Sequence, residues 1–201
     1  MNSQHPVKKF WAFLKEDTWQ SWIVSLVLLV ILIRFIFFPT LSFITSSPLP
    51  LVVVESCSMY HESYFDEWWD NNFPWYEENN IQKADFEEFP FKGGLNKGDI
   101  IFVWGRSDYK LGDIIIFQPN IDAAAPHPII HRLIDTNPFA TKGDHNSGQL
   151  TPSNNGQGID ETSIPAGNIL GKASFKIPLI GWIKLIFFEP FRPAEQRGLC
   201  E

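Results

Sequence analysis

The sequence predicts a mainly β domain, carried on one N-terminal transmembrane helix and closed by a C-terminal membrane-associated helix. Three observations carry that prediction. No charged residue occurs from Thr18 to Ile33, and a second uncharged run follows Arg34 as far as Val54. Two Gly-Asp turns, Gly98-Asp99 and Gly112-Asp113, each feed a run of β-branched and aromatic residues, the signature of strands entered from tight turns. Ile177–Phe191 (IPLIGWIKLIFFEPF) is strongly apolar but too short to cross a bilayer alone.

The chain of 201 residues is long enough for one modest domain plus a membrane anchor. Its net charge of −7, with no basic stripe to offset it, excludes nucleic acid as a partner. Cys57 and Cys200 are the only cysteines. Two cysteines make neither a disulfide framework nor a four-thiolate metal site. They can pair, but nothing in the sequence requires it.

The anchor comes first. Trp22–Phe38 (WIVSLVLLVILIRFIFF) nearly fills the roughly 20 apolar residues of a membrane span, and Pro39 is a natural stop. Arg34 lies near the far end, where its long side chain can snorkel to the head groups. The apolar core exceeds the roughly 7–15 residues of a cleaved signal peptide, so it reads as a retained anchor. Lys8, Lys9 and Lys15 precede it, which places the N-terminus in the cytoplasm and everything after Pro39 outside. Phe10, Trp11, Phe13 and Leu14 suggest a short interfacial helix. The expected layout is therefore a cytoplasmic or interfacial start at 1–17, an anchor at 18–39, an extracytoplasmic β domain at 40–176 and a membrane-associated segment at 177–201. The protein is expected to be single-pass in the cell membrane, with lipid as a partner.

Within the β domain, Leu51–Val54 reads as a buried strand. Residues 60–92 hold nine Asp/Glu against two Lys, interleaved with eleven aromatics. A disordered acidic tail is poor in aromatics, so this block reads as an ordered insertion with short helices around Phe65–Asp70 and Lys83–Glu88. Lys97-Gly98-Asp99-Ile100-Ile101-Phe102-Val103 is echoed by Leu111-Gly112-Asp113-Ile114-Ile115-Ile116-Phe117. Ile129–Ile134 is a further strand, whose alternation puts Ile129, His131 and Leu133 on one face. Residues 145–163 read as loop, and Ile169–Phe175 as another strand.

Val53-Val54-Glu55-Ser56-Cys57-Ser58-Met59-Tyr60 places two serines and a cysteine at the end of the first strand. A serine needs a base within hydrogen-bond reach, and that base needs an orienting group. Of the five histidines, His5 precedes the anchor, His61 opens the insertion, His127 lies between prolines and His145 follows a Gly-Asp turn. His131 sits mid-strand in an apolar run, where an imidazole must find partners or be costly. Either it is a satisfied core histidine, or it is the base.

Ser56-Cys57-Ser58-Met59, Gly112-Asp113-Ile114-Ile115-Ile116-Phe117, Ile129-Ile130-His131-Arg132 and Thr141-Lys142-Gly143-Asp144-His145-Asn146 occur in the order of the boxes of type I signal peptidases. The chain resembles that family, and the histidine before Arg132 resembles the archaeal and endoplasmic-reticulum branch, where the bacterial branch has lysine. Gly171-Lys172-Ala173 through Trp182-Ile183-Lys184 resembles the family's tail. The resemblance covers roughly residues 20–58 and 97–188.

It implies a serine endopeptidase that cuts signal peptides of secretory precursors after small residues and needs no cofactor or metal. The protein translocation machinery becomes a candidate partner. By the same resemblance Ser58 is the nucleophile, His131 the general base, and the Ser58 N–H with the Ser56 hydroxyl the oxyanion site. Cys57 stands where the family commonly has glycine. The family carries one aspartate in the Gly-Asp turn and another about six residues later. Asp144 fills the first place. Leu150 occupies the second, and the next aspartate is Asp160, past an extension through Thr151–Gly158. Asp144 and Asp160 are both candidates to orient His131.

Other readings are weaker. His127 and His131 have the spacing of a zinc-protease helix, but the glutamate at the second position is missing and Pro and Ile disfavour the helix. Cys57 as nucleophile would point away from Ser58. A catalytically silent, membrane-tethered interaction protein on the same fold remains the alternative, with the acidic insertion as its working surface.

Overall fold

The computed structural model describes residues 6–106, 108–120, 122–125 and 127–200. His5 lies outside the described residues. The chain divides into two compact units, Met1–Ile44 and Thr45–Glu201.

The first unit starts with helix α1 (Pro6–Leu14), followed by α2 (Trp19–Leu32). Thr18 caps α2, its side chain accepting from the Ser21 N–H at 3.3 Å. A π-helical turn, Ile33–Phe37, leads into α3 (Phe38–Thr45). Trp19–Thr45 is thus one helix of 27 residues, its most apolar 18-residue stretch reaching a mean hydropathy of 2.6, long and apolar enough to cross a membrane. The helix does not stop at Pro39. The π turn lets the Phe38 N–H reach back to the Ile33 carbonyl and starts a new register. Pro39 then falls in the first turn of α3, where its missing N–H costs least.

The second unit is built on a six-stranded antiparallel sheet of β1 (Leu51–Val53), β2 (Ile100–Trp104), β3 (Ile114–Phe117), β4 (Ile129–Thr136), β5 (Phe139–Lys142) and β6 (Ile169–Ile177). Their spatial order is β1-β2-β6-β3-β4-β5. The period of two in side-chain direction splits β3 between two cores. Ile114 and Ile116 pack with Val54, Met59, Leu95, Ile101 and Val103. Ile115 and Phe117 pack on the other side with Leu133 and Ile164.

The Gly-Asp repeat is one turn used twice. Gly98 and Gly112 both have positive φ, 91° and 86°, a conformation that costs glycine nothing. Asp99 Oδ2 accepts from the Asn96 N–H and Asp113 Oδ2 from the Lys110 N–H, each at 2.9 Å. Each turn thereby delivers its strand, β2 or β3, in the same way.

The insertion folds as α4 (Phe65–Glu78) and α5 (Lys83–Glu87). α4 runs eight residues beyond the expected Asp70, through Pro74. Trp68, Trp69, Tyr76 and Phe86 are buried against Ile134 and Ala140 of the sheet. Burying aromatics of this size is worth a few kcal/mol each, which explains why so acidic a stretch is ordered. Its carboxylates stay on the outer face. At the C-terminus the helical part of the apolar segment is a single turn, α6 (Trp182–Leu185), followed by two 3-10 turns at Glu189–Phe191 and Ala194–Gln196. Pro190 and Pro193 break any longer helix.

Candidate active site

β1 ends at Val53, and Val54 stays attached to the sheet through its N–H to the Asp99 carbonyl at 2.9 Å. The chain then turns, and Ser58 emerges half-buried, next to Met59, which is 1 % exposed and packed in the core. His131 comes from the middle of β4, opposite Ile115 of β3. Its Nε2 lies 2.8 Å from the Ser58 hydroxyl oxygen, across 73 positions of sequence. Its Nδ1 meets the Glu161 carboxylate. An ionised carboxylate only accepts, so Glu161 takes the Nδ1–H and leaves Nε2 as acceptor for the serine hydroxyl. Serine, histidine and carboxylate form one chain of hydrogen bonds. Ser56 stands beside it, its Oγ 3.1 Å from Ser58 Oγ.

Glu161 is fully buried and anchored on every side. Thr141 Oγ1 donates to its Oε1 and the Leu150 N–H to its Oε2, both at 2.8 Å. Its backbone carbonyl accepts from the Thr141 N–H, and the Ile164 N–H bonds the Phe139 carbonyl. The segment after the long loop therefore runs back along β5 and carries Glu161 to the imidazole.

Asp144 does not reach His131. Its carboxylate takes the fork of Arg132, from Nε at 2.9 Å and from an Nη at 2.7 Å. It also accepts from His61 Nε2 at 3.0 Å and from the Tyr76 hydroxyl at 3.4 Å. Arg132 donates its remaining N–H groups to the carbonyls of Pro90, Gly112 and Phe91. All five guanidinium donors are used, as a fully buried arginine requires. Alternation along β4 is the cause: His131 and Arg132 point to opposite faces, so the carboxylate that serves one cannot serve the other. Burial opposes ionisation of Asp144, but Arg132 and then His61 override it and hold the carboxyl far below the usual range. Asp160 also misses His131, its carboxylate capping the Thr162 N–H and hydroxyl at 2.9 and 2.7 Å.

The Gly143–His145 turn closes over the serine. The His145 N–H donates to the Ser58 carbonyl at 2.9 Å, and the Asp144 N–H points at Met59 Sδ, 3.4 Å away. A Cβ on Gly143 would sit 2.7 Å from the Ser58 carbonyl oxygen and 2.8 Å from His131 Nε2. Only glycine leaves room there.

No family model matches the chain. Among curated proteins it is similar to the signal peptidase complex catalytic subunit SEC11 of Komagataella phaffii, 22% identical over 171 residues that cover 80% of each chain. It is also similar to the SEC11 subunit of Debaryomyces hansenii, 24% identical over 178 residues, 80% of this chain and 79% of the relative. The SEC11 subunit of Candida tropicalis matches at 26% over 111 residues, 47% of this chain and 58% of the relative. Over most of its length the chain is thus similar, at low identity, to signal peptidase complex catalytic subunits.

The cysteine beside the serine is not a free thiol. Cys57 is joined to Cys200. His131 lies on a strand, so the helical spacing that would let it share a metal with His127 is not realised. The insertion reaches the site through His61, whose ring stacks on Trp68 with centroids 3.7 Å apart, and through Phe86, which lies 4.6 Å from the Arg132 guanidinium carbon. Sequence reasoning missed Glu161 because it sought an aspartate. A signal was present: Ile159 and Glu161 share one side of an extended segment, and an apolar residue on that side points it inward.

Proposed function

We propose that the protein is a membrane-anchored serine endopeptidase that removes signal peptides from secretory precursors after small residues. The observation that carries this reading is the contact of Ser58 Oγ with His131 Nε2 at 2.8 Å, with Glu161 on the far nitrogen. Similarity to signal peptidase catalytic subunits supports the substrate class.

Ser58 Oγ attacks the carbonyl carbon of the scissile bond while its proton passes to His131 Nε2. Glu161 stabilises the imidazolium that results. The negative charge on the carbonyl oxygen is met by the Ser58 N–H and the Ser56 hydroxyl; one such donor is worth roughly 3–4 kcal/mol. His131 returns the proton to the leaving amine, and the signal peptide remains as an ester on Ser58. Water, deprotonated by His131, then hydrolyses that ester. Positioned proton transfer of this kind contributes about 10²–10⁴-fold.

Lys8, Lys9 and Lys15 before the span put the N-terminus in the cytoplasm and the sheet outside it. The Cys57–Cys200 disulfide supports an oxidising compartment for that side. Ile183, Ile186, Phe187 and Phe191 are 64–85 % exposed, and this apolar face rests on the membrane where precursors emerge.

The test is cleavage of a membrane-presented precursor by purified, reconstituted protein. Ser58→Ala and His131→Ala should each abolish it. An inactive wild type would leave the silent, tethered interaction protein as the better reading.

A further inference from the structure

The C-terminal tail is fastened to the loop that carries the serine. Lys97 is 2 % exposed, and a desolvated ammonium is costly unless each donor is matched. Its Nζ donates to Glu189 Oε2 at 2.9 Å and to the carbonyls of Gln196 and Gly198 at 2.7 and 2.9 Å. All three acceptors lie in the tail. Arg192 bridges from the tail to Glu55, with Nη groups 2.8 Å from the backbone carbonyl and 2.8 Å from Oε2. The disulfide then joins Cys57 to Cys200 over a separation of 143 residues.

Lys97 holds the tail beside the turn that enters β2, while the attachments to Glu55 and Cys57 fall past the end of β1, where strand pairing has stopped. Pairing of β1 ends at Val53. Glu55 and Cys57 flank Ser56, and Cys57 is bonded directly to Ser58. A turn that must present a hydroxyl to an imidazole has to be held to within a fraction of an ångström. The tail grips it from both sides of Ser56.

We propose that Glu189–Cys200 is a positioning clamp, in which the Cys57–Cys200 disulfide and the Arg192–Glu55 pair set the Ser56–Ser58 turn so that the Ser58 hydroxyl faces His131. Cys57, Cys200 and Arg192 are positioning residues, and the inference rests on the peptidase reading above. Cys57 and Cys200 are both half-buried, within reach of a small reductant.

The experiment uses the full-length protein reduced with a phosphine under native conditions, with two thiols per chain counted to establish completeness. Reduction should lower kcat roughly tenfold or more with KM within about twofold. Reoxidation should restore kcat. Cys200→Ser should show the same low kcat and ignore reductant, and Arg192→Gln should add to the loss while Arg192→Lys recovers part of it. A second readout does not need turnover: the imidazole nitrogen resonances of His131 should move on reduction in the wild type and stay fixed in Ser58→Ala. Unchanged kcat and unchanged resonances after full reduction would overturn the clamp. So would loss that tracks global unfolding by circular dichroism. If the wild type cleaves nothing but the His131 resonances still respond to reduction, the peptidase reading fails and the clamp stands.

Discussion

Glu161 accepts a hydrogen bond from Nδ1 of His131 across thirty positions of sequence. The contact fixes the tautomer, and the tautomer decides whether Nε2 can take a proton from Ser58. Glu161→Gln should therefore lower kcat by about 10²–10⁴-fold with little change in KM. Asp160→Asn, one position away, should leave kcat within about twofold of wild type. Steady-state cleavage of one precursor by both variants checks the pair; the reverse ranking would return the role to Asp160.

A Cβ at Gly143 would crowd the Ser58 backbone carbonyl and His131 Nε2 together. Gly143→Ala should push the imidazole and the serine apart and cost at least about 10²-fold in kcat. Far-UV circular dichroism should stay unchanged, since the displaced atoms belong to the site and not to the sheet core. Near-normal activity would mean the turn shifts freely and does not set the geometry.

Asp144 and Arg132 are a fully buried, bidentate pair. Asp144→Asn leaves Arg132 charged and unmatched, at a cost of about 3–5 kcal/mol. The pH dependence follows from the same pair. The Asp144 carboxyl is depressed in the folded state, so its stabilisation is present above the unfolded value of about 3.9 and is lost as pH falls below it. Denaturant melts between pH 6 and pH 3 should show a steeper loss for the wild type than for Asp144→Asn.

Lys142 is 1 % exposed. Burial lowers its pKa to about 8, with Asp144 and Glu161 pulling partly the other way. The unfolded chain holds this proton up to about pH 10.4. Between those values the unfolded state binds more protons, so stability should rise with pH, by up to about 3 kcal/mol. Lys142→Met should flatten that rise. Thermal melts of wild type and variant from pH 7 to pH 10 make the comparison.

Trp68 is fully buried in the insertion, stacked on His61 and packed against Trp69, Tyr76 and Phe86. Trp68→Ala should cost about 3–5 kcal/mol. Asp66→Asn, on the outer face, should change stability by less than about 0.5 kcal/mol. Chemical denaturation of both variants separates a packing role for the insertion from a purely surface role.

Local chemistry was legible along the chain. The uncharged run from Thr18 showed a helix able to cross a membrane, and the strands after Gly98-Asp99 and Gly112-Asp113 followed from turn chemistry and β-branched runs. Ser58 and His131 stood out because a hydroxyl at a strand end and an imidazole in an apolar strand each need a partner. Pro39 misled because a proline's effect depends on the hydrogen-bond register around it, and the π turn changed that register. α4 exceeded its expected length because its buried aromatics, not its acidic outer face, decide where it ends.

By itself, then, the sequence determined the elements and the types of group that chemistry would need, since both depend on neighbours within a few residues. Which carboxylate met which base was decided only by the folded sheet. β4 turns His131 and Arg132 to opposite faces, and the return of residues 159–164 along β5 brings Glu161 to one of them while Asp144 goes to the other. Neither contact is local, and a one-residue change in register would exchange the two faces.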